Sequence, residues 1–290
     1  MPFMIGRRRS DPNGMHVLIT GAASGIGRSI ARQLAADGAR LYLTDLRQAP
    51  LDEVAESIRA DGGNVPVVLA ADITDYAAVT ALAKHVHREV AALDAVLNVA
   101  GIATWGTVQA LTNEQWRTVI EVNLMGPIHV IESFVPPMIV AKRGGHLVNV
   151  SSAAGLIGLP WHAAYSASKF GLRGVSEVLR FDLARHRIAV TLVCPGGVDT
   201  PLTDSVTIAG INHDSEAFRT VQGRFRKRAV SPEAAAAAIV EGMLARRYLV
   251  YTSNDIRLIH AVQRYLPPVY AGLMHVANRA ADAVAARAAA

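Results

Sequence analysis

Short apolar runs recur along the chain and alternate with stretches of helical periodicity. A short continuous apolar run is typical of a parallel strand that helices cover on both faces. Runs of this kind predict seven strands, at residues 17–20, 41–44, 65–69, 94–97, 146–150, 188–194 and 248–251. Helical patterns lie between them, at 77–90, at 113–140, from near residue 165 to about 185, and from near residue 231. The alternation predicts one α/β domain built on a parallel sheet.

The two ends of the chain depart from this alternation. Residues 1–14 carry three consecutive arginines and a turn-like segment at 11–14, and they are predicted to be a flexible leader before a catalytic domain at 15–254. Residues 255–290 place Ile256, Ile259 and Val262 on one apolar stripe with arginines beside it. Such an amphipathic helical extension is expected to pack on its own domain or on a partner chain. The alternative is peripheral contact with a membrane surface.

Composition narrows the class of protein. The 290 residues are 51% hydrophobic and 18% charged, which indicates a soluble globular chain. The single cysteine, Cys194, excludes an internal disulfide framework and is consistent with a reducing compartment, so a cytoplasmic location is expected, with membrane association left to the tail. The net charge of +5 is modest, and the basic runs at 7–9 and 224–228 lack a nucleic-acid motif. Two uncharged windows, 95–113 and 144–168, are broken by glycine, proline and polar residues, so neither predicts a membrane span.

A glycine-rich turn follows the first predicted strand directly and opens a helical pattern. Gly21 is placed to take a positive φ, Gly25 lets a pyrophosphate approach the backbone, and Gly27 lets the helix pack closely on the strand. A strand, a glycine turn and a helix N-terminus together predict a dinucleotide site.

Acidic residues at the ends of the next two strands bear on the nucleotide. The second strand ends at Asp45, whose carboxylate suits ribose hydroxyls and repels a 2′-phosphate, so NAD is favoured over NADP. Arg40 and Arg47 lie close enough to weaken that preference. Asp72 and Ile73 follow the third strand, where adenine is expected.

Tyr165 and Lys169 place a phenol and an ammonium one helical turn apart. A phenol with a pKa of about 10 is a poor base at neutral pH, and a positive charge beside it favours the phenolate. The pair alone is common on helix surfaces, so its weight comes from the glycine turn and the paired serines that precede it. Ser152 is not predicted to be a nucleophile, because no His–Asp pair is spaced to activate it, and no metal site is predicted.

These motifs together resemble those of the short-chain dehydrogenase/reductase family, in its single-domain branch. The segments that carry the resemblance are Thr20-Gly21-Ala22-Ala23-Ser24-Gly25-Ile26-Gly27, Asn98-Val99-Ala100-Gly101, Ser151-Ser152 and Tyr165 with Lys169. The resemblance covers roughly residues 15–252. It implies a Rossmann-type, doubly wound, seven-stranded parallel sheet with helices on both faces. One departure is Val99, where the family more often has a second asparagine that ties the central strand.

The resemblance also implies a role for each site residue. Tyr165 would be the general acid or base, Lys169 would lower its pKa, Ser152 would hold the carbonyl oxygen, and Asn123 would relay the proton. The implied cofactor contacts are Gly21, Ser24, Gly25, Ile26, Gly27, Asp45, Leu46, Asp72, Ile73, Asn98, Ala100, Gly101, Tyr165, Lys169, Pro195, Gly196, Val198 and Thr200.

The substrate side is implied more loosely. The apolar loop before Tyr165 and the residues after the fourth strand would line the pocket, with the candidates Trp105, Leu159, Trp161 and His162. His162 is a candidate second proton donor, although a packed or surface histidine is the commoner case. Residues 201–228 would form a lid over the substrate, and a homodimer or homotetramer would be the assembly.

Pro127 lies four residues after Asn123 inside the helical pattern 113–140. Because proline has no N–H for the carbonyl of residue 123, the sequence predicts a bent helix with that carbonyl exposed. An exposed carbonyl there suits a water-mediated proton relay, and the alternative is a kink with no chemical role.

The sequence therefore predicts an NAD-dependent oxidoreductase for a secondary alcohol or its ketone. The apolar loop favours a lipophilic substrate, such as a sterol, retinoid, terpene or acyl chain. One alternative is a sensor or scaffold that binds NAD(H) without chemistry, which would show a damaged tetrad. The other is a nucleotide-sugar epimerase or dehydratase, which resembles a different glycine spacing and carries a large C-terminal substrate domain.

Overall fold

The computed structural model describes residues 10–202, 207–210, 223, 226 and 229–289. Its strands are β1 (His16–Thr20), β2 (Arg40–Thr44), β3 (Asn64–Val68), β4 (Ala95–Asn98), β5 (Thr104–Trp105), β6 (Gly145–Val150), β7 (Ile188–Cys194), β8 (Thr207–Ile208) and β9 (Leu249–Tyr251). Its helices are α1 (Gly25–Ala36), α2 (Gln48–Ala60), α3 (Tyr76–Glu89), α4 (Asn113–Ile120), α5 (Gly126–Ala141), α6 (Ala163–Asp182), α7 (Pro232–Leu244), α8 (Asn254–Tyr265) and α9 (Pro267–Ala289), with short 3₁₀ turns at Ala153–Gly155 and Ala184–His186.

Seven strands form one parallel sheet in the order β3-β2-β1-β4-β6-β7-β9. Helices α1, α2 and α7 pack on one face, and α3, α5 and α6 pack on the other. This double cover explains why the strands are apolar on both sides, as at Leu18, Leu41 and Leu43, which are fully buried. The predicted doubly wound fold is confirmed. The strand order reverses between β1 and β4, and such a reversal opens a crevice at the carboxyl ends of the strands.

The predicted long helix at 113–140 is interrupted. The structure has α4, then a π-helical turn at Glu121–Met125, then α5 with Pro127 near its start. The carbonyl of Glu121 accepts from the N–H of Gly126, five residues on. The proline that cannot donate within a regular helix thus sits directly after a widened turn. By length and composition the stretch 113–141 is also apolar enough to span a membrane. Core helices of soluble proteins pass the same test, and here Val130 and Phe134 are fully buried against the sheet.

Val99 stands where the family more often has a second asparagine, and residues of neighbouring strands make the hydrogen bonds around it. Thr20 Oγ1 accepts from the N–H groups of Val99 and Ala100, at 3.0 and 3.1 Å. Asn98 Nδ2 donates to Asn149 Oδ1 at 2.9 Å, while Asn98 Oδ1 is buried without a partner among the described residues. The side-chain amide of Asn98 therefore ties the central strand through its nitrogen, while its oxygen makes no hydrogen bond among the described residues.

The ends of the chain are attached to the domain where the structure describes them. The backbone N–H of Ser10 donates to the carbonyl of Leu244 at 3.0 Å, and its hydroxyl lies 3.1 Å from His146 Nε2. The end of the predicted flexible leader is therefore held in place, and residues 1–9 lie outside the described residues. Of the predicted lid at 201–228, β8 pairs with β5, and most of the remainder, including Arg224, lies outside the described residues.

Candidate active site

A cavity of ≈ 1030 Å³ lies along the carboxyl ends of the parallel strands. Its wall includes the residue that follows each of five strands: Gly21, Asp45, Val99, Ser151 and Pro195. The parallel sheet brings these distant segments to one edge, where nucleotides bind in folds of this kind.

Nearly all of the predicted cofactor residues line this cavity. They are Gly21, Ser24, Gly25, Ile26, Gly27, Asp45, Leu46, Asp72, Ile73, Ala100, Gly101, Tyr165, Lys169, Pro195, Gly196, Val198 and Thr200. Asn98 does not line it, because it is buried in β4 and bonded to Asn149. Its place in the sheet makes Asn98 a support for the site.

The glycine turn is too close to its neighbours for any side chain. Gly21 has φ +67°, and a Cβ there would lie 2.8 Å from the Cα of Ala100. A Cβ on Gly27 would lie 2.0 Å from the carbonyl oxygen of Gly21. The side chain of Ser24, which precedes α1, makes no capping hydrogen bond, so the first N–H groups of the helix stay open to the cavity. Open N–H groups at a helix N-terminus suit a pyrophosphate, so the residues present fit a dinucleotide.

Two carboxylates in the cavity wall are fixed by hydrogen bonds. Asp45 accepts from the N–H groups of Ala23 and Leu46, at 3.1 and 2.8 Å. Asp72 Oδ1 accepts from the N–H and the hydroxyl of Thr74, at 2.9 and 2.8 Å. The bonds of Asp45 join the end of β2 to the glycine turn, which holds its charge beside the expected ribose position.

Tyr165 and Lys169 both lie on the buried side of α6, as their spacing of four residues predicts. Lys169 Nζ donates to the carbonyl of Val150 at 3.1 Å and lies 5.7 Å from the centre of the Tyr165 ring. The hydroxyl of Ser151 donates to the carbonyl of Lys169 at 3.0 Å. Ser152 Oγ accepts from the N–H of Ala154 at 3.1 Å. Hydrogen bonds around the end of β6 therefore hold Ser151, Ser152 and Lys169 close together.

Burial dominates the pKa of the Tyr165 hydroxyl. Desolvation raises this pKa, and a hydrogen bond with Ser152 opposes the rise. Burial also lowers the pKa of the Lys169 ammonium to about 8. The sequence expectation that Lys169 acts on the pKa of Tyr165 therefore stays a prediction, whereas Ser152 has that effect in the structure.

Asn123 is fully buried and does not line the cavity. Its Oδ1 accepts from the N–H of Ile102, and its Nδ2 donates to the carbonyl of Ile102, both at 2.9 Å. Nδ2 also lies 3.2 Å from the hydroxyl of Ser168 on α6. A Cβ on Gly101 would lie 2.9 Å from Asn123 Oδ1 and 3.3 Å from Lys169 Nζ. The side chain of Asn123 therefore joins the loop after β4 to α6, and the full burial of the residue contradicts the prediction that its carbonyl is exposed.

Aromatic residues line the end of the cavity where the sequence predicts the substrate. The rings of Trp105 and His162 lie 4.3 Å apart at 34°, and Leu159 lines the cavity beside them. His162 Nδ1 donates to the carbonyl of Pro160 at 2.6 Å, since a carbonyl oxygen only accepts. Burial lowers the pKa of His162, so its imidazole is neutral at neutral pH and Nε2 is an acceptor. The geometry thus disfavours His162 as a proton donor.

Trp161 is placed differently from the other substrate candidates. It does not line the cavity, and its backbone has φ +64°. Its carbonyl accepts from the N–H of Gly106 at 2.7 Å. The structure therefore assigns Trp161 to the turn that presents His162.

Several cavity residues were absent from the sequence prediction. Thr118, Glu121 and Val122 face the cavity from α4 and the π-helical turn, and their spacing of three and four residues is a helical signal that was available. Asp255 and Ile256 also line it, from the start of α8. No local pattern marks those two, because their position follows from the way the tail folds back on the turn at Gly196.

Comparison with known proteins agrees with this geometry. The family model for short chain dehydrogenase matches residues 15–209. Trans-4-hydroxycyclohexanecarboxylate dehydrogenase of Sinomonas cyclohexanicum is 39% identical over 191 residues, which cover 64% of this chain and 73% of that protein.

Two solved structures are also similar. A short-chain dehydrogenase/reductase from Burkholderia phymatum, in complex with NAD, has a TM-score of 0.78 at 28% identity, covering 88% of this chain and 96% of that one. A metagenomic short-chain oxidoreductase, in complex with NADP, has a TM-score of 0.66 at 31% identity, covering 83% and 96%. The sheet, the glycine turn and these matches agree: the chain belongs to the short-chain dehydrogenase/reductase family of oxidoreductases.

Proposed function

We propose that this protein is an NAD-dependent dehydrogenase that interconverts a lipophilic secondary alcohol and its ketone. The observation that carries the proposal is the meeting of Ser152, Tyr165 and Lys169 in the wall of the cavity that begins at the glycine turn. A base, a donor for a developing oxyanion and a buried cation are the groups that this reaction needs.

Proton transfer belongs to Tyr165. In oxidation the substrate hydroxyl gives its proton to the Tyr165 oxygen, and in reduction the same oxygen returns a proton to the carbonyl. The hydroxyl of Ser152 donates to the substrate oxygen and so stabilises negative charge on it. A bound nicotinamide would accept the hydride, a reaction that protein side chains do not provide.

Two further groups support that transfer. The Lys169 ammonium is buried with the Val150 carbonyl as its protein acceptor, so it has further N–H groups to offer a ribose hydroxyl. We propose that Asn123 holds this part of the site in place, since its side chain bonds to Ile102 and lies 3.2 Å from the hydroxyl of Ser168 on α6.

The substrate end supports a lipophilic molecule that carries a ring. Trp105 and Leu159 offer flat apolar surface, and Ile102, Ala103 and Leu202 also line the cavity. We propose that His162 Nε2 accepts a hydrogen bond from a second polar group of the substrate. The relative from Sinomonas cyclohexanicum, named for a hydroxylated cyclohexane acid, supports the inclusion of cyclic alcohols in the search.

The test is a panel of alcohols. Purified protein with NAD is offered cyclic, terpene, sterol and acyl-chain secondary alcohols and short primary alcohols, and NADH absorbance is followed. We expect NADH formation with lipophilic secondary alcohols and little with primary ones. NADH binding without turnover on the panel would favour a sensor or scaffold. Conversion of a nucleotide sugar, added as a separate substrate and followed by product chromatography because these reactions give no net NADH, would favour the epimerase alternative.

Asp45 is proposed to set the preference for NAD. Its carboxylate lines the cavity and is held by Ala23 and Leu46, and Arg47 lines the same wall. Asp45→Asn keeps the shape and removes the charge that repels a 2′-phosphate. We expect the ratio of kcat/KM for NADP to that for NAD to rise at least about tenfold, because one repulsive ionic contact is worth at least about 1.4 kcal/mol.

Asp72→Asn is the matched control for this prediction. Asp72 is a second carboxylate of the same cavity, bonded to Thr74. It is expected to affect NAD and NADP alike, because it lies where adenine is expected. A wild-type enzyme that already prefers NADP would contradict the assignment of Asp45.

We further propose a cytoplasmic homodimer or homotetramer. Phe170, Val178 and Phe181 on α6 are exposed by 38%, 59% and 64%, which supports a subunit contact on this helix. Light scattering of the purified protein tests the assembly.

A further inference from the structure

The two C-terminal helices carry a group of exposed apolar side chains. We call these side chains the tail face, and their exposed fractions run from 47% to 72%. They are Leu258, Tyr265, Leu266, Val269, Leu273 and Val276. In α8, Leu258 and Tyr265 are seven residues apart, which places them on one side of the helix. In α9, Val269, Leu273 and Val276 are spaced by four and three residues and form one stripe. Each helix therefore shows an apolar stripe to solvent.

The tail face is distinct from the side of the tail that packs on the domain. Ile256, Ile259 and Tyr270 pack against the buried residues Leu156 and Ile157 and their neighbours. The Tyr270 hydroxyl donates to the carbonyl of Gly158 at 2.6 Å, and Tyr251 Oη lies 2.8 Å from His260 Nδ1. The inward side of each helix thus has its core contacts already. The exposed stripes are additional apolar surface that the domain does not cover.

Arginines flank the tail face. Arg257 and Arg264 are exposed on α8, each next to an exposed apolar residue, and Arg279 is exposed one turn beyond Val276 on α9. None of the three has a carboxylate within 4 Å in the part of the chain that the structure describes. Apolar stripes with basic flanks are typical of helices that lie in the interface of an anionic bilayer.

The charge pattern separates a membrane from a second copy of this chain. The described parts of α8 and α9 expose three arginines against two aspartates, Asp255 and Asp282, so a two-fold contact through the tail face would join surfaces of like net charge, which opposes association. Anionic phosphates complement the same arginines, and the chain as a whole carries a net charge of +5. An anionic lipid surface is therefore the occupant that the tail face fits.

We propose that the tail face docks on an anionic lipid bilayer. The apolar side chains enter the boundary between headgroups and acyl chains, and Arg257, Arg264 and Arg279 pair with lipid phosphates. Helix α8 begins at the cavity, where Asp255 and Ile256 form part of the wall. Docking would therefore bring this part of the cavity wall close to the lipid. The docking itself does not rest on the proposed redox function.

Vesicle co-sedimentation of the full chain tests the proposal, without cofactor or substrate. One set of vesicles is pure phosphatidylcholine, and the other contains phosphatidylglycerol as well. We expect binding to the second set, weakened by salt. The double variant Arg257→Gln/Arg264→Gln should lower the partition coefficient about thirtyfold, since each arginine near an anionic surface contributes about 1 kcal/mol, which is that fold-change over two residues. Arg88→Gln, at an exposed arginine of α3, should leave it unchanged.

A second variant tests the apolar part of the tail face. Val276→Glu places a carboxylate on the stripe at a position that is 66% exposed, so the fold has no reason to change. We expect at least a tenfold loss of vesicle binding. Val140→Glu, at a valine of α5 that is 78% exposed, is the matched control and should bind like the wild type.

Three outcomes would overturn the proposal. The first is wild-type protein that stays in the supernatant with both kinds of vesicle. The second is Val276→Glu that binds as the wild type does. The third is a wild type whose mass in light scattering falls on Val276→Glu, which would make the tail face a subunit contact. Turnover of a water-soluble alcohol, measured in parallel, is expected to be unchanged in Val276→Glu and separates failed docking from failed catalysis.

Discussion

Tyr165→Phe is expected to lower turnover at least a hundredfold and to leave NADH binding nearly intact. The substitution removes the oxygen that exchanges the proton, and positioned proton transfer is typically worth about 10²–10⁴ in rate. The ring itself stays in its cluster with Ala103, Val119 and Ala154, so packing is retained. The measurements are kcat with the best alcohol of the panel and the Kd for NADH.

Tyr248→Phe is the matched control for that substitution. The Tyr248 hydroxyl is also buried, has no hydrogen-bond partner in the described part of the chain, and has its pKa raised to about 12 by burial. It does not line the cavity, so its removal should leave kcat unchanged. A Tyr165→Phe variant with wild-type turnover would remove Tyr165 from the mechanism. Equal losses in both variants would point to a general effect on folding.

Much of this fold could be predicted because its signals are local. A strand covered on both faces must be apolar throughout, so the runs at 17–20 and 188–194 mark strands without any knowledge of their neighbours. The glycine turn is equally local, since Gly21 and Gly27 sit where a Cβ would strike the backbone. Parallel pairing then brings the residues after each strand to one edge of the sheet.

The parts that escaped prediction depend on contacts between distant segments. Pro127 indicated an irregular helix, but a π-helical turn instead of a simple bend depends on packing that one proline does not specify. The short ribbon of β5 and β8 joins residues a hundred positions apart. Ile256 reaches the cavity because α8 folds back on Gly196, where a Cβ would lie 2.9 Å from Ile256 Cγ1.

The electrostatics of the site could likewise be predicted only where they depend on local spacing. Spacing on a helix predicts that Tyr165 and Lys169 share a face, and they do. It does not report how deeply that face is buried, and burial decides the pKa of both groups. Burial disfavours the charged form of each group, so the buried phenol resists deprotonation and the buried amine resists protonation. The hydrogen bond with Ser152, which opposes the rise in the pKa of Tyr165, is not predicted by the helical spacing.

The burial of Lys169 leads us to predict effects on both the stability and the activity of the protein. Its pKa is about 8 in the folded chain against an ordinary value of 10.5. Below pH 8 the folded protein carries a desolvated charge, whereas above 10.5 the lysine is neutral in both states. Stability from this group is therefore lost as pH falls from 10.5 to 8, by about 3 kcal/mol at 1.36 kcal/mol per pKa unit.

Lys169→Met is expected to lower turnover by about 10²–10⁴ and to weaken NADH binding without destabilising the fold. Methionine fills the buried space and carries no charge. Removal of the buried charge is expected to stabilise the fold, and loss of the hydrogen bond to the Val150 carbonyl cancels about 1 kcal/mol of that stabilisation. The free energy of unfolding at pH 7 should therefore stay level or rise by up to about 2 kcal/mol. Denaturant titrations at several pH values measure this, and the free energy of unfolding of the wild type, taken relative to that of the variant, is expected to rise from pH 8 to 10.5.

Lys84→Met, at an exposed lysine of α3, is the control and should keep both the turnover and the pH dependence of the wild type. A Lys169→Met variant that loses several kcal/mol of stability would mean that the ammonium is a structural cation. One that keeps its turnover would mean that the tyrosine works without it. Loss of turnover with unchanged or higher stability is the result that marks Lys169 as functional, because a buried charge that weakens the fold is retained for the chemistry it supports.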